Sequence, residues 1–469
     1  MLFTSIEFLF LFLPVVVAGH LLLPARFGLR NMWLLAASLF FYAWGEPTFV
    51  LAMVASIAFN YVAALCEEGL RLSGRRRAAG WAFAVGVAGN LALLGTWKYA
   101  NFATAVLREW FPSLKGTVPQ TSFILPIGIS FFTFQAISYI ADVRRGAATA
   151  QRNPLSLALY IALFPQLIAG PIVRYASFCG QIGRRRVTLG GFSGGLMRFL
   201  VGFNKKMLLA NTLAEVADWA FARQGISVCG AWLGAVAYTF QIYYDFSGYS
   251  DMAIGLGRML GFSFPENFNR PYLSRTATEF WRRWHMTLGG WFRDYVYFPL
   301  GGSRCGKRRL MLNLAVVWIL TGLWHGANWT FVLWGAFYGV LIAAEKLTGL
   351  PERIESSRTL GVLSHPLSIL AVVCGWVMFR SDSVTSAFAY LGAMFGFGGV
   401  SLCDGDFAFW LRESAVFLVA AAAGCLPPPA RLRGTWSAGL FAAAQPLLFV
   451  VGVSCLVMKS HNPFIYFNF

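Results

Sequence analysis

The chain has 469 residues, 57% of them hydrophobic, 16% aromatic and only 12% charged, with a mean hydropathy of +0.60. That composition excludes a soluble globular protein. The formal net charge of +18 would suggest nucleic acid in a soluble chain, but here the basic residues sit in short loops between apolar runs. This is the pattern of cytoplasmic loops under the positive-inside rule, and no nucleic-acid partner is expected.

Apolar runs recur from end to end, and about ten to twelve are long enough to span a bilayer at roughly 20 residues each. The expected fold is therefore an all-α polytopic membrane protein forming one domain over 1–469. Within it, 1–262 hold the N-terminal spans and a re-entrant segment, 263–346 the catalytic core and 347–469 the C-terminal spans.

The first run, 6–23, lacks the positive n-region and small-residue cleavage site of a signal peptide and reads as a retained span. Arg26 and Arg30 after it favour a cytoplasmic loop. Residues 31–44 cross outward and 48–66 return to Arg71, Arg75, Arg76 and Arg77. Residues 81–96 go out again and 123–141 come back to Arg144, Arg145 and Arg152. The run 155–173 separates that cluster from Arg184, Arg185 and Arg186, so a full span there would put one basic loop outside. It also carries the helix breakers Pro165, Gly170 and Pro171. It reads as a re-entrant segment, tolerated at membrane depth where protein covers it.

Residues 196–220 form a further span with Lys205 and Lys206 inside it. The stretch 231–262 is too long for one perpendicular span and contains Asp245 and Asp251. Two readings stay open there: carboxylates facing a cavity or a partner, or a helix break near the interface. After a return span at 329–345 come a charged loop, 345–358, and C-terminal spans poor in charge. The last residues, 462–469, form an aromatic tail suited to an interface. The eight cysteines are scattered, with no CxxC pair and no Cys/His cluster, which argues against a metal site and a disulfide framework.

The chemistry concentrates in two stretches, Thr276-Ala-Thr-Glu-Phe-Trp-Arg-Arg-Trp-His285 and Leu320-Thr-Gly-Leu-Trp-His325-Gly-Ala-Asn328. Each sets a histidine directly after a tryptophan. Thr276 and Glu279 have capping-box spacing, which predicts a helix start. At 100° per residue Trp281, Trp284, His285, Leu288, Trp291, Phe292 and Tyr295 share one face, with Arg282, Arg283 and Arg293 opposite. The expectation is one amphipathic helix with an aromatic and a cationic side.

His325 follows Leu310 by roughly 22 Å of helix rise and falls well inside the bilayer, where an ionisable residue is a functional candidate by default. Gly322 and Gly326 allow a helix or a substrate close to it; Thr321 and Asn328 add polar surface. The bland alternative is a core histidine bonded to a backbone carbonyl. A neutral imidazole can take the proton of a hydroxyl attacking a thioester. A second imidazole, an Asn or an indole N–H could orient it or stabilise an oxyanion. The arginines suit a phosphate-bearing donor such as coenzyme A.

These stretches resemble the membrane-bound O-acyltransferase family, and within it the bacterial branch that serves alginate O-acetylation. The same resemblance is carried by Ile124-Leu-Pro-Ile-Gly-Ile-Ser-Phe131, Leu163-Phe-Pro-Gln-Leu-Ile-Ala-Gly-Pro171, Tyr243-Tyr-Asp-Phe-Ser-Gly-Tyr-Ser-Asp251, Tyr297-Phe-Pro-Leu-Gly-Gly302 and Phe464-Ile-Tyr-Phe467. It implies a helical fold around a trans-membrane tunnel, in a bacterial inner membrane. His325 would match the essential histidine and His285 the second active-site position. Trp281, Arg282, Arg283, Trp284, Asn328, Asp245 and Asp251 are candidates for the donor and substrate channel.

It further implies acetyl transfer from a cytoplasmic donor, acetyl-CoA, with no bound cofactor and no metal. The acetyl group would pass to a periplasmic acetyltransferase of the serine-hydrolase-like type and on to a polysaccharide, with membrane lipid as surroundings. Gly289-Gly290 departs from the Ser or other polar residues that the resemblance leads one to expect. The competing readings are a polysaccharide or lipid-linked sugar transporter, a silent assembly subunit, and an acyltransferase for peptidoglycan, cellulose, teichoic acid or a lipid.

Overall fold

The computed structural model describes all residues except 25–27, 428–434 and 459–469. Arg26 and the aromatic tail at 462–469 therefore lie outside the described residues. The chain is helical, with no strand among the described residues. In order the helices are α1 Leu13–Leu22, α2 Leu29–Gly45, α3 Phe49–Leu72, α4 Arg76–Leu94, α5 Ala100–Trp110, α6 Ile129–Arg145 and α7 Pro154–Ala162. Then come α8 Phe164–Leu167, α9 Tyr175–Arg184, α10 Leu189–Asn204, α11 Asn211–Ala222, α12 Val228–Met259, α13 Ala277–Arg283 and α14 Met286–Phe292. The last seven are α15 Lys307–His325, α16 Trp329–Thr348, α17 Leu350–Ser356, α18 Arg358–Arg380, α19 Val384–Met394, α20 Gly405–Cys425 and α21 Thr435–Met458.

Among the described residues, six helices are long and apolar enough to cross a membrane: Phe49–Leu72, Arg76–Trp110, Trp329–Thr348, Thr359–Arg380, Gly405–Cys425 and Gly439–Met458. The protein is a multi-pass membrane protein. Other apolar helices are shorter, such as Phe8–Leu22 and Val384–Met394. The chain divides into two compact units, one of 1–199 with 252–265 and the other of 200–251 with 266–469.

In the first unit, the buried Glu67 on α3 binds Arg71 on its own helix and Arg144 at the end of α6, while Glu68 binds Arg152. Two of the predicted basic loops thus meet at one end of this unit, as the alternation of spans requires. The segment 154–173 breaks after α7, and Tyr160 Oη donates to the Val173 carbonyl at 2.9 Å, so the chain doubles back on itself. The breakers act locally. A Cβ on Gly170 would press on Gln166 Cα and the Pro165 carbonyl, a turn only glycine fits. Phe164, Pro165, Gln166 and Leu167 are fully buried, consistent with a re-entrant segment covered by protein.

Helix α12 runs unbroken for 32 residues, which corrects the helix-break reading of 231–262. The chain before α11 instead takes a π-helical turn over Lys205–Ala210. That turn aims consecutive lysines at α12: Lys206 Nζ lies 2.5 Å from Asp245 and Lys205 Nζ 2.6 Å from Asp251. Gly248 makes this approach possible, because a Cβ there would meet the Gly202 carbonyl at 2.7 Å.

Helices α15 and α16 form a hairpin whose backbones touch. A methyl on Gly322 would overlap the Phe331 carbonyl, and one on Gly335 the Trp318 carbonyl. Gly326 faces the Phe331 ring. The small residues flanking His325 therefore serve a helix contact. Gly322→Val is expected to lower stability by about 1–3 kcal/mol or more through overpacking. The check is the thermal midpoint of the purified protein in detergent, with the exposed-face change Leu312→Val as a control that leaves it unmoved.

Candidate functional site

The predicted amphipathic helix over 276–295 is two short helices with a kink at the histidine. Thr276 caps α13 as expected, its hydroxyl accepting from the Glu279 amide at 3.0 Å. The capping box is only half formed: Glu279 accepts from the Arg275 amide, one residue upstream of the cap. A second carboxylate completes the start. Glu345, near the end of α16, accepts from the amides of Ala277 at 2.6 Å and Thr278 at 2.9 Å. It occupies two of the donors that a helix N-terminus leaves open.

The helix ends at Trp284, which is extended, and His285 adopts a left-handed conformation with φ 44°. For a side chain of this size that conformation costs energy, and the segment before α13 offsets it. The Asn269 amide donates to the Arg283 carbonyl, and the Met286 amide to the Asn267 carbonyl. The buried Asn267 side chain does more. Its Oδ1 accepts from the Thr287 amide at 3.3 Å and the Thr287 hydroxyl at 2.9 Å, while its Nδ2 donates to Ser250 on α12 at 3.1 Å.

His285 Nδ1 lies 3.0 Å from the same Oδ1. The backbone donor identifies this atom as oxygen, so Nδ1 carries the proton and Nε2 the lone pair of the neutral ring. Burial pushes the His285 imidazole down to about 3, because the charged form is poorly solvated there. Phe246 on α12 sets its ring against His285 at 4.7 Å between centroids, edge to face.

His325 is the last residue of α15 and is buried. Aromatic rings surround it: Trp324 at 5.0 Å, Trp334 at 5.0 Å and Phe379 at 5.2 Å. His285 also packs on Trp324, at 5.8 Å. The structure thus brings both histidines to one indole. Trp281 and Trp284 extend the cluster. Trp281 contacts Trp318, Trp334 and Tyr338 at 5.0–5.3 Å, and Trp284 contacts Trp376 at 4.8 Å.

Arg282 and Arg283 leave α13 on its other side, into a cavity of about 860 Å³ whose other charged lining is Arg275, Lys346, Glu279, Glu345 and Glu352. Arg283 pairs with Glu279 at 2.8 Å and Glu345 is engaged by the α13 amides. On α16, Glu345 at the cavity and Trp334 at His325 are eleven residues apart, about 16 Å of helix rise, and Tyr338 and Ile342 between them are buried.

The remaining candidates lie elsewhere. Asn328 caps α16 through the Thr330 amide and donates to the Asp382 carbonyl. Asp245 and Asp251 face the two lysines. Sequence reasoning missed Asn267 and Glu345, which hold His285 and α13 from 18 and 68 residues away; periodicity carries no signal for either. Among the described residues no group of His, Cys, Asp or Glu could hold a metal ion.

The family model for membrane-bound O-acyltransferases matches residues 127–351, the interval that contains both histidines and the cavity-lining helix. A protein named "Probable alginate O-acetylase AlgI" from Pseudomonas aeruginosa is 46% identical over 86% of this chain and 76% of its own length. One of the same name from Pseudomonas putida is 41% identical over 100% of both chains. A "Peptidoglycan O-acetyltransferase" from Helicobacter pylori is 34% identical over 86% of this chain and 81% of its own. The chain is a membrane O-acyltransferase and belongs to the membrane-bound O-acyltransferase family.

Proposed function

We propose that this enzyme takes an acetyl group from acetyl-CoA on the cytoplasmic side and passes it across the inner membrane for O-acetylation of an extracellular polysaccharide such as alginate. The observation that carries the reading is the continuity of α13. One side lines a cationic cavity through Arg282 and Arg283, and the other joins the aromatic cluster around His325. The names of the Pseudomonas relatives support alginate as the polysaccharide. The Helicobacter relative favours a second reading, in which the acceptor is peptidoglycan.

In this mechanism His325 is the general base. It takes the proton of the acceptor hydroxyl as that oxygen attacks the thioester carbonyl. The tetrahedral oxyanion collapses, the C–S bond breaks, and the imidazolium returns the proton to the departing thiolate, leaving an ester and a free thiol. The buried indole N–H groups of Trp281 and Trp334 have no acceptor among the described residues. A buried donor without a partner costs about 1–3 kcal/mol, which a developing oxyanion would offset. His285, neutral and with its lone pair on Nε2, orients the hydroxyl. Water-poor aromatic walls protect the thioester from hydrolysis. A periplasmic acetyltransferase of the serine-hydrolase-like type is the partner that receives the group.

With radiolabelled acetyl-CoA and protein in nanodiscs, His325→Ala is expected to reduce acetyl-dependent release of coenzyme A about 10²–10⁴-fold while expression and folding hold. Unchanged release would refute the assignment. Arg282→Ala should raise KM for the donor with kcat nearly kept, and should flatten the salt dependence of kcat/KM; a pure kcat loss would argue against a donor contact.

Asn267 is a positioning residue, and Asn267→Ala should lower kcat about 10–100-fold through loss of ring orientation with KM for the donor unchanged. The depressed His285 value has a defined sign. The ring is neutral at pH 6.5 and stays so down to about 3, so it contributes no acid limb in that window. A His285→Gln variant is accordingly slower with the wild-type pH midpoint, and a shifted midpoint would contradict the burial argument.

A further inference from the structure

Outside the histidine cluster, two thiols face each other at the opposite end of the second unit from its cationic cavity. Cys229 lies in the first turn of α12 and Cys403 in the loop that follows α19. The first amides of a helix need acceptors from outside it, and this loop provides them. The Val228 amide donates to the Ser401 carbonyl at 3.0 Å and the Cys229 amide to the Leu402 carbonyl at 2.9 Å. Leu402 directly precedes Cys403, so this pairing makes the two cysteines neighbours. The nearby Cys229 thiol raises the Cys403 thiol above its ordinary value. Both are unoxidised in this structure, Cys403 exposed and Cys229 half-buried.

The surrounding chain is fixed on each side of the pair. Trp232 donates to the Met394 carbonyl at 2.8 Å and Tyr390 to the Ala231 carbonyl at 2.9 Å, holding α19 to the start of α12. Gly396, Gly398 and Gly399 take positive φ and turn the loop tightly. Beyond the thiols, Arg223 binds Asp404 and Asp406 at the start of α20.

Charge assigns the side of the membrane. Within this unit the connections at one end carry Arg304, Lys307, Arg308, Arg309, Lys346 and Arg353, whereas at the thiol end Arg223 and Arg380 are matched by Asp218, Asp404 and Asp406. By the positive-inside rule the first end is cytoplasmic, which leaves the thiols on the outer, oxidising face. We infer that Cys229 and Cys403 form a disulfide there, stapling the loop after α19 to the N-terminus of α12. This rests on the orientation used for the proposed function.

The chemistry is thiol–disulfide exchange with a disulfide-bearing oxidant of that compartment. The exposed Cys403 thiolate attacks one oxidant sulfur and forms a mixed disulfide. The Cys229 thiolate then attacks the Cys403 sulfur. The oxidant departs as a dithiol carrying the electron pair, and the two protons lost by the cysteines end on it.

The test uses full-length protein in membranes from cells with an intact oxidising periplasm, denatured in SDS and labelled with a maleimide-linked polymer. Two fewer labels are expected before reduction than after. Cys229→Ser and Cys403→Ser should each give the same number with and without reductant. Peptide mapping of wild type should recover a 229–403 cross-linked peptide, which keeps the test valid if a single variant fails to accumulate. Equal labelling of wild type with and without reductant would overturn the disulfide.

A variant retaining Cys403 as its only cysteine, treated with a membrane-impermeant maleimide on intact spheroplasts, separates the two ways of failing. Labelling from outside supports the orientation, so that equal labelling of wild type then refutes the disulfide alone. Labelling only after permeabilisation overturns the orientation and the disulfide with it.

Discussion

The amide oxygen of Asn267 holds the site together. It accepts from His285 Nδ1, the Thr287 amide and the Thr287 hydroxyl, and its own Nδ2 is fixed to α12 through Ser250. These bonds make a left-handed histidine tolerable, end α13, begin α14 and choose the tautomer of the ring. A continuous helix through 284–285 would satisfy the local backbone equally well. The outcome is decided by which arrangement leaves no buried donor or acceptor unmatched.

Buried charge follows the same logic. Each buried carboxylate described above has a specific partner: Glu67 two arginines, Glu68 Arg152, Glu345 two helix amides and Asp245 Lys206, while the half-buried Asp251 pairs with Lys205. Removing one member would leave its partner uncompensated in a medium where ions are costly. The arginines of α13 differ. Arg282 is exposed and Arg283 is only half-buried, so their charge is met by water as well as by protein.

Much of this was legible in the sequence. The Trp–His pairs, the Thr276 cap, the helix break at Phe164–Gly170 and the close approach at Gly322 are local signals, and local signals survive folding. The kink at His285 was not legible, because the 3.6-residue pattern over 276–295 is real but loses to hydrogen bonds from Asn267. Glu345 looked like the edge of a charged loop and is in fact the cap of a helix 67 residues earlier. For Asp245 and Asp251 two readings stay open in the sequence. Their partners depend on the π-helical turn, and nothing in the composition of Lys205–Ala210 announces such a turn.

That turn has a consequence for how the stretch can vary. A π-helical turn holds one more residue than an α-helical one, so its length matters separately from its chemistry. Deleting any single residue between 205 and 210 would leave the hydrophobic content of the span almost unchanged. The turn would then close as an ordinary α-helical one. Leu213, Ala217 and Ala220, now buried, would keep their faces, whereas the two lysines would lose the turn that aims both at α12. The extra residue of this span therefore serves the lysine pair and not the packing of the helix that follows.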